Sequence, residues 1–255
     1  MSSPIWTRVA LSSEFSPFEG MCWRLVEAQH RISTLKLTDS LAEQVLLEEL
    51  IEETKPAIPP DCRHLDFLLA TPFRYGAVYP HGSRFRRAGR TPGVYYAAEA
   101  PRTAVAEMAF YRLLFFAESP ATPWPADAAE YTAFSASVAT NRLLDLTNKP
   151  LSTDKALWTD LTNYSECQAF ADAARTADAD AIRYQSVRDP TKGCNLAILM
   201  CRAFSNPVPI ERQTWRIRLS PSGVQALCEF PRQAVEFQSD TFAYDPRIAD
   251  LNWER

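Results

Sequence analysis

Residues 72–112 read PFRYGAVYPHGSRFRRAGRTPGVYYAAEAPRTAVAEMAFYR and pass from a glycine-rich segment into a helix. Four of the seven glycines lie between residues 65 and 99, where short apolar runs predict strands at 65–70, 77–79 and 93–98. Pro101 suits the first turn of a helix, because that position needs no N–H partner. The helix is expected to reach Phe116. Its predicted apolar face consists of Ala104, Val105, Met108, Tyr111, Leu114 and Phe115.

The flanking sequence extends this pattern in both directions. Ser40 and Glu43 fit a capping box, which predicts an amphipathic helix over residues 38–54 whose acidic residues form either a docking face or a solvated face. A second helix is predicted over 158–177. Trp215, Ile217 and Leu219 alternate with arginines, as in a half-buried strand. Further strands are predicted at residues 23–28, 131–138, 141–146, 180–187 and 194–204.

The order of these elements predicts the fold class. Helices and strands do not alternate in a steady βαβ rhythm, so an α+β fold is favoured over a doubly wound sheet. We expect one compact domain with mixed or antiparallel sheets flanked by helices. Within it we distinguish an N-terminal extension at residues 1–64, a core at 65–205 and a C-terminal strand and tail at 206–255.

Composition and motifs exclude several classes of protein. The chain has 27 Lys and Arg against 31 Asp and Glu, a net charge of −4, which argues against direct nucleic-acid binding. Its apolar run Leu196–Cys201 is far shorter than a membrane span of about 20 residues. With no visible secretion signal, we expect a cytoplasmic protein with reduced cysteines and no membrane contact. Metal-ligand spacing is missing, as are the glycine motifs of Rossmann dehydrogenases, P-loop NTPases and α/β-hydrolases.

Three features are candidates for chemistry. Arginines are dense between residues 74 and 102, and a guanidinium on a glycine-containing loop suits a phosphate; the alternative is a basic surface loop. Glu107 lies among small and apolar residues, so it is either an exposed helix residue or a pocket carboxylate that needs a partner. Ser186 ends a predicted strand, where it either serves function or starts a turn.

The ordered segments FRYG, GSRF, GVYYAAE, AVAEMAFYR and RYQSVR together resemble the RES domain. The resemblance implies a fold akin to ADP-ribosyltransferase toxins. It also implies a toxin that degrades NAD+ by breaking the nicotinamide–ribose bond, through phosphorolysis or hydrolysis. NAD+ would then be a substrate and not a cofactor, with inorganic phosphate as a co-substrate in the first case. Protein ADP-ribosylation and a non-catalytic interaction module remain the alternatives.

The resemblance also implies site residues and a partner. Glu107, Arg74 and Arg84 match the family's catalytic positions. Tyr75, Tyr96 and Ser186 match its substrate-binding positions. Arg86, with Arg87 and Arg90, adds positive charge beside Arg84, so the arginine that holds the pyrophosphate is left open. Such toxins pair with an Xre-family antitoxin, so we expect a hetero-oligomer in which the antitoxin occludes the active site and supplies any DNA contact.

Overall fold

The computed structural model describes residues 6–27, 34, 37–75, 82–89 and 91–254. Within these residues eight strands form a mixed sheet in the order β1-β2-β5-β4-β3-β6-β7-β8. Strand β1 also pairs with β3, so β1, β2, β5, β4 and β3 close into a ring from which β6–β8 extend. The strands are β1 Ser16–Glu27, β2 Tyr95–Ala98, β3 Ala129–Asp145, β4 Ala181–Gln185, β5 Cys194–Ile198, β6 Arg212–Ser220, β7 Gly223–Cys228 and β8 Gln233–Gln238.

The pairing directions confirm the α+β prediction. Strands β3 and β4 are parallel, whereas the other pairs of this sheet are antiparallel across the described residues. A doubly wound sheet would be mainly parallel. The predicted N-terminal extension supplies β1, and the C-terminal part supplies β6–β8, so both contribute to one sheet with the core.

Strand β3 connects the ring to the outer strands. The sequence predicts two strands at 131–138 and 141–146, but the structure has one continuous strand of 17 residues. Its first six residues pair with β6, residues 131–143 pair with β1 on the other edge, and its last three residues pair with β4. On β6 the predicted alternation is confirmed, because Trp215, Ile217 and Leu219 are all buried.

Six α-helices in the described residues pack around the sheet. They are α1 Arg8–Ser13, α2 Leu41–Thr54, α3 Phe67–Arg74, α4 Pro101–Glu118, α5 Lys155–Trp158 and α6 Ser165–Thr176. Helix α4 begins at Pro101 as predicted, and the first part of its predicted apolar face is buried, but two residues of the later part are not. Tyr111 and Phe115 are about half exposed, whereas Phe110 and Leu113 are fully buried. The small residue Ala109 shares their face and brings the helix close to the sheet.

Helix α2 has the predicted cap but not the expected buried face. The Glu43 N–H donates to Ser40 Oγ at 3.2 Å, and the Glu43 carboxylate accepts from the Asp39 N–H at 2.9 Å. Of its apolar residues, Leu41, Val45 and Leu50 are more than half exposed. The predicted helix is therefore confirmed, but these three apolar side chains do not enter the core of the described part of the chain.

Two further local predictions are wrong. The apolar run at residues 65–70 is not a strand but leads into α3, which Asp66 caps by accepting from the Leu68 N–H at 2.9 Å. A run this short does not distinguish strand from helix by periodicity alone. The helix predicted over 158–177 is divided into α5 and α6 by the loop at 159–164. The strand predicted at 77–79 lies outside the described residues.

The C-terminal tail and the cysteines complete the fold. Phe242, Ile248 and Leu251 are buried in the cluster that joins α4 to β6–β8. Cys62 and Cys201 form a disulfide, so the expectation that all cysteines are reduced is wrong for this pair. No helix in the described residues is long and apolar enough to cross a membrane.

Candidate active site

A cavity of about 400 Å³ opens where α4 faces the ring of strands. Residues of α4, β1, β2, β4 and β5 contribute to its wall, together with the loops that follow β4 and α5. Ligand pockets in proteins typically measure about 300–1,000 Å³. The polar and aromatic side chains in its wall are Trp23, Arg24, Ser83, Arg84, Tyr96, Glu107, Tyr111, Tyr164, Tyr184, Arg188 and Asn195.

Glu107 is the carboxylate in this wall. It lies in the second turn of α4 and is partly exposed to the cavity. Its Oε1 accepts hydrogen bonds from Ser186 Oγ and Asn195 Nδ2, each at 2.7 Å. Two donors on one oxygen fix the carboxylate in the wall while its second oxygen has no hydrogen-bond partner among the described residues.

Ser186 orients Glu107 from behind. The serine is 1 % exposed and follows β4 directly. Its Oγ accepts from the backbone N–H groups of Arg188 at 3.2 Å and Asp189 at 3.0 Å. Because those bonds occupy its lone pairs, the hydroxyl proton points to Glu107. The structure therefore brings together Glu107 and Ser186, which are 79 residues apart in the sequence.

A compact turn holds Ser186 in this position. Asp189 accepts from Thr103 Oγ1 of α4 at 2.7 Å and from the Thr191 N–H at 2.9 Å. A Cβ at Gly193 would collide with Thr103 Oγ1 and approach Asp189 Oδ2 to 2.7 Å. Glycine is thus required here so that the turn can lie against the first turn of α4.

Arg84 lies in the cavity wall and is held rigidly. Its Nη1 donates to the carbonyl of Trp158 at 2.8 Å and its Nη2 donates to that of Asp160 at 2.9 Å. The guanidinium also lies over the Tyr164 ring, 4.5 Å from its centroid. The side chain of Arg86 is buried outside this wall. Among the described arginines of the loop, Arg84 is therefore the one at the cavity; Arg90 lies outside the described residues.

Arg74 and Tyr75 lie away from the cavity, at the end of α3. Arg74 Nε donates to the Pro56 carbonyl at 2.6 Å, and its Nη1 pairs with Glu52 of α2 at 2.6 Å. The structure thus does not bring this predicted pair to the other site residues. Arg74 instead ties α3 to the end of α2.

Arg24 of β1 lies in the cavity wall, whereas Arg74 does not. Its Nη1 donates to the Tyr96 carbonyl at 2.9 Å, and its guanidinium lies 5.2 Å from the centroid of the Tyr95 ring. Burial lowers its pKa from the usual value of an arginine, but a guanidinium stays protonated at neutral pH. The available signal for it in the sequence was its place beside Trp23, at the start of the segment WRLVEAQHRIST.

Tyrosines supply the aromatic part of the wall. The Tyr96 hydroxyl bonds to Ser83 Oγ at 2.8 Å and accepts from the Phe85 N–H at 2.9 Å, so it joins β2 to the loop that carries Arg84. Burial raises the pKa of Tyr96 and of Tyr184, which keeps both phenols neutral. Their rings can stack on a planar ligand without adding charge.

Arg188 and Asn195, like Arg24, were not predicted from the sequence. Arg188 follows Ser186 by two residues, forms a buried ion pair with Asp245 and lies 3.9 Å from the centroid of the Phe110 ring. Asn195 is a polar residue in the apolar strand β5, and that contrast was an available signal. In the described ranges no group of three acidic, histidine or cysteine side chains is placed to hold a metal ion.

A family model described as the RES domain matches residues 58–220, more than half of the chain. The chain belongs to the RES family. The match confirms the resemblance stated from the sequence, and it contains Arg84, Tyr96, Glu107, Ser186 and Asn195. Arg24 and Asp245 lie outside it, although the structure places both at or beside the same cavity.

Comparison with solved structures gives a match to the crystal structure of the M. tuberculosis MbcT–MbcA toxin–antitoxin complex. The two chains are 14 % identical, with 97 % of this chain and 100 % of that chain covered and a TM-score of 0.47. A search of curated proteins gives no match.

Proposed function

We propose that this RES-family chain cleaves the nicotinamide–ribose bond of NAD+. The observation that carries the proposal is Glu107, whose carboxylate is fixed by Ser186 and Asn195 in the wall of a cationic, aromatic cavity. In the phosphorolytic form, NAD+ and phosphate give nicotinamide and ADP-ribose 1″-phosphate. In the hydrolytic form, NAD+ and water give nicotinamide, ADP-ribose and a proton.

The bond cleavage requires stabilisation of positive charge more than acid catalysis. Nicotinamide is cationic in NAD+ and takes the bonding electron pair with it, so it leaves as a neutral molecule and needs no proton. Positive charge then develops on the ribose as an oxocarbenium-like centre. A fixed carboxylate facing that centre, or orienting a ribose hydroxyl beside it, stabilises the transition state electrostatically. We assign this catalytic role to Glu107.

The remaining wall suits the rest of the dinucleotide. Arg24, Arg84 and Arg188 line the cavity together with one carboxylate, so the described part of the wall is net positive. Guanidinium groups bind phosphate oxygens with paired donors, and the pyrophosphate of NAD+ supplies those oxygens. We assign this binding to Arg84 and Arg24. Tyr96 and Tyr184 offer neutral rings for stacking against nicotinamide or adenine.

Nicotinamide release by the purified chain tests the proposal. The protein is incubated with NAD+ with and without phosphate, and the products are separated chromatographically. A phosphate-dependent ADP-ribose 1″-phosphate peak identifies phosphorolysis, whereas ADP-ribose alone identifies hydrolysis. ADP-ribose attached to a protein would favour the transferase alternative. No nicotinamide at high protein concentration would contradict cleavage and favour a non-catalytic module.

We further propose that the chain is the toxin of a toxin–antitoxin pair and acts in the cytoplasm. Membership of the RES family supports this assignment. An enzyme that consumes NAD+ harms its own cell unless an inhibitor covers the active site. We therefore propose a partner of the Xre family that occludes the cavity in a hetero-oligomer.

A further inference from the structure

The C-terminal tail contacts the turn that carries Ser186, although the tail lies outside the segment matched to the RES domain. Two consecutive tail residues make these contacts. Tyr244 Oη donates to the Val187 carbonyl at 2.5 Å. Asp245, which is fully buried, forms an ion pair with the guanidinium of Arg188.

Both contacts fall at the point that determines how Ser186 is oriented. Val187 links Ser186 to Arg188, and the backbone N–H groups of Arg188 and Asp189 both donate to Ser186 Oγ. A shift of this backbone would change the direction of the serine hydroxyl, which donates a hydrogen bond to Glu107 Oε1 at 2.7 Å. The chain of contacts therefore runs from Asp245 to Arg188, then to Ser186, then to Glu107.

Other groups hold the tail and the turn in one arrangement. Asp245 also accepts from Arg247 Nε at 3.0 Å, and the Leu161 carbonyl accepts from both Arg188 and Arg247. Burial works against ionisation of Asp245, but hydrogen bonds from Arg247 and the charge of Arg188 lower its pKa overall. The Arg188 guanidinium packs on Phe110, which lies one turn of α4 beyond Glu107.

We propose that Tyr244 and Asp245 are positioning residues that fix the Ser186–Glu107 hydrogen bond from the C-terminal tail. The inference rests on the proposed NAD+ cleavage for its kinetic readout alone. Neither residue needs to touch the substrate. The tail then contributes to the geometry of the active site. A RES-family chain without this tail would have to fix the serine turn by another contact.

Kinetics with point variants test the proposal. Tyr244→Phe removes one hydroxyl from a ring that is half exposed, and Asp245→Asn keeps the shape of the side chain while removing its charge. We expect each to lower kcat about tenfold and leave KM for NAD+ unchanged, because the lost interaction acts in the transition state. The control Asp250→Asn changes an exposed carboxylate of the same tail and should leave kcat unchanged.

A double-mutant comparison separates positioning from a general structural role. In a Ser186→Ala background, Tyr244→Phe should have no further effect on kcat, since the serine hydroxyl through which it acts is gone. A tenfold loss in that background as well would overturn the proposal. Thermal melting of each variant identifies any that are unfolded at the assay temperature.

A spectroscopic readout keeps the test independent of catalysis. With ¹³C-labelled glutamate, the Glu107 carboxyl resonance is assigned by its loss in Glu107→Gln. We expect Tyr244→Phe and Asp245→Asn to move it in the direction that Ser186→Ala does, and Asp250→Asn to leave it in place. An unmoved resonance in both tail variants would overturn the inference. Moved resonances in a protein that releases no nicotinamide would instead overturn the proposed function and retain the inference.

Discussion

At the scale of single residues, Glu107 carries the sharpest prediction. Glu107→Gln keeps the size of the side chain but removes the charge that is proposed to face the ribose. Loss of a preorganised electrostatic contact costs about 3–4 kcal/mol, so nicotinamide release should fall about a hundred- to a thousandfold. The control is Glu118→Gln, an exposed residue at the end of the same helix. Turnover near that of the wild type in Glu107→Gln would remove the carboxylate from the mechanism.

Arg24 and Arg74 give a second test, because the structure places only the first at the cavity. Lysine cannot reproduce the planar pair of donors of a guanidinium. A hydrogen bond to a charged group contributes about 1.5–3 kcal/mol, so Arg24→Lys should raise KM for NAD+ about tenfold or more. Arg74→Lys should leave KM unchanged, since its side chain bonds to Pro56 and Glu52. Steady-state kinetics in which the two effects are reversed would restore Arg74 to the site.

Site residues could be predicted from the sequence only where they stand out from their own neighbours in the chain. Glu107 stood out as a carboxylate among small residues, and Ser186 as the end of a strand. The structure joins them through one hydrogen bond. Arg24 was missed because it reaches the cavity through closure of the strand ring, which links β1 to β2 by a single pair of residues, Trp23 and Ala98. Asp245 was missed because its only signal is spatial.

At the scale of elements, the end of α5 and the loop at 159–164 hold two of the three arginines in the described cavity wall. The carbonyls of Trp158 and Asp160 hold Arg84, and that of Leu161 holds Arg188. The sequence predicts a continuous helix here, in which these carbonyls would be used within the helix. Asp160 stops it, because its carboxylate accepts from the N–H groups of Thr162 at 2.9 Å and Asn163 at 2.7 Å. A short polar side chain that bonds to nearby backbone competes with a helix in this way.

Asp160→Ala should therefore loosen both arginines without touching the cavity itself. We expect KM for NAD+ to rise severalfold with little change in the melting temperature, because Asp160 is exposed. The N–H groups of Asn163 and Thr162 lower the pKa of Asp160. Their hydrogen bonds to the carboxylate therefore stabilise the loop above the ordinary pKa of an aspartate, and this stabilisation is lost as the pH falls through the lowered pKa. Asp127→Ala, an exposed change in another loop, is the control. An unchanged KM in Asp160→Ala would show that the conformation of the loop does not depend on the hydrogen bonds to the Asp160 carboxylate.

At the scale of the whole molecule, charge is distributed unevenly. The chain has a net charge of −4, yet its cavity wall is net positive in the described residues. A ligand with paired anionic oxygens is therefore expected to be drawn to the cavity in spite of the negative net charge of the molecule. A pyrophosphate and an acidic peptide segment meet the same requirement, so substrate and inhibitor are expected to exclude each other.

Competition between substrate and inhibitor for the cavity predicts how a cell responds to the chain. Expressed alone, the chain should arrest growth while cellular NAD+ falls, and the Glu107→Gln variant should do neither. Co-expression with the gene for the proposed Xre-family antitoxin should restore both growth and NAD+. In vitro, ADP-ribose should weaken binding of the antitoxin in proportion to its occupancy of the cavity, because both are proposed to bind in that cavity. Toxicity with unchanged NAD+ would contradict cleavage and favour protein modification. Antitoxin binding that ADP-ribose does not affect would place the inhibitory contact on another surface. Substitution of the exposed apolar residues of α2 would then be the first test of where that surface lies.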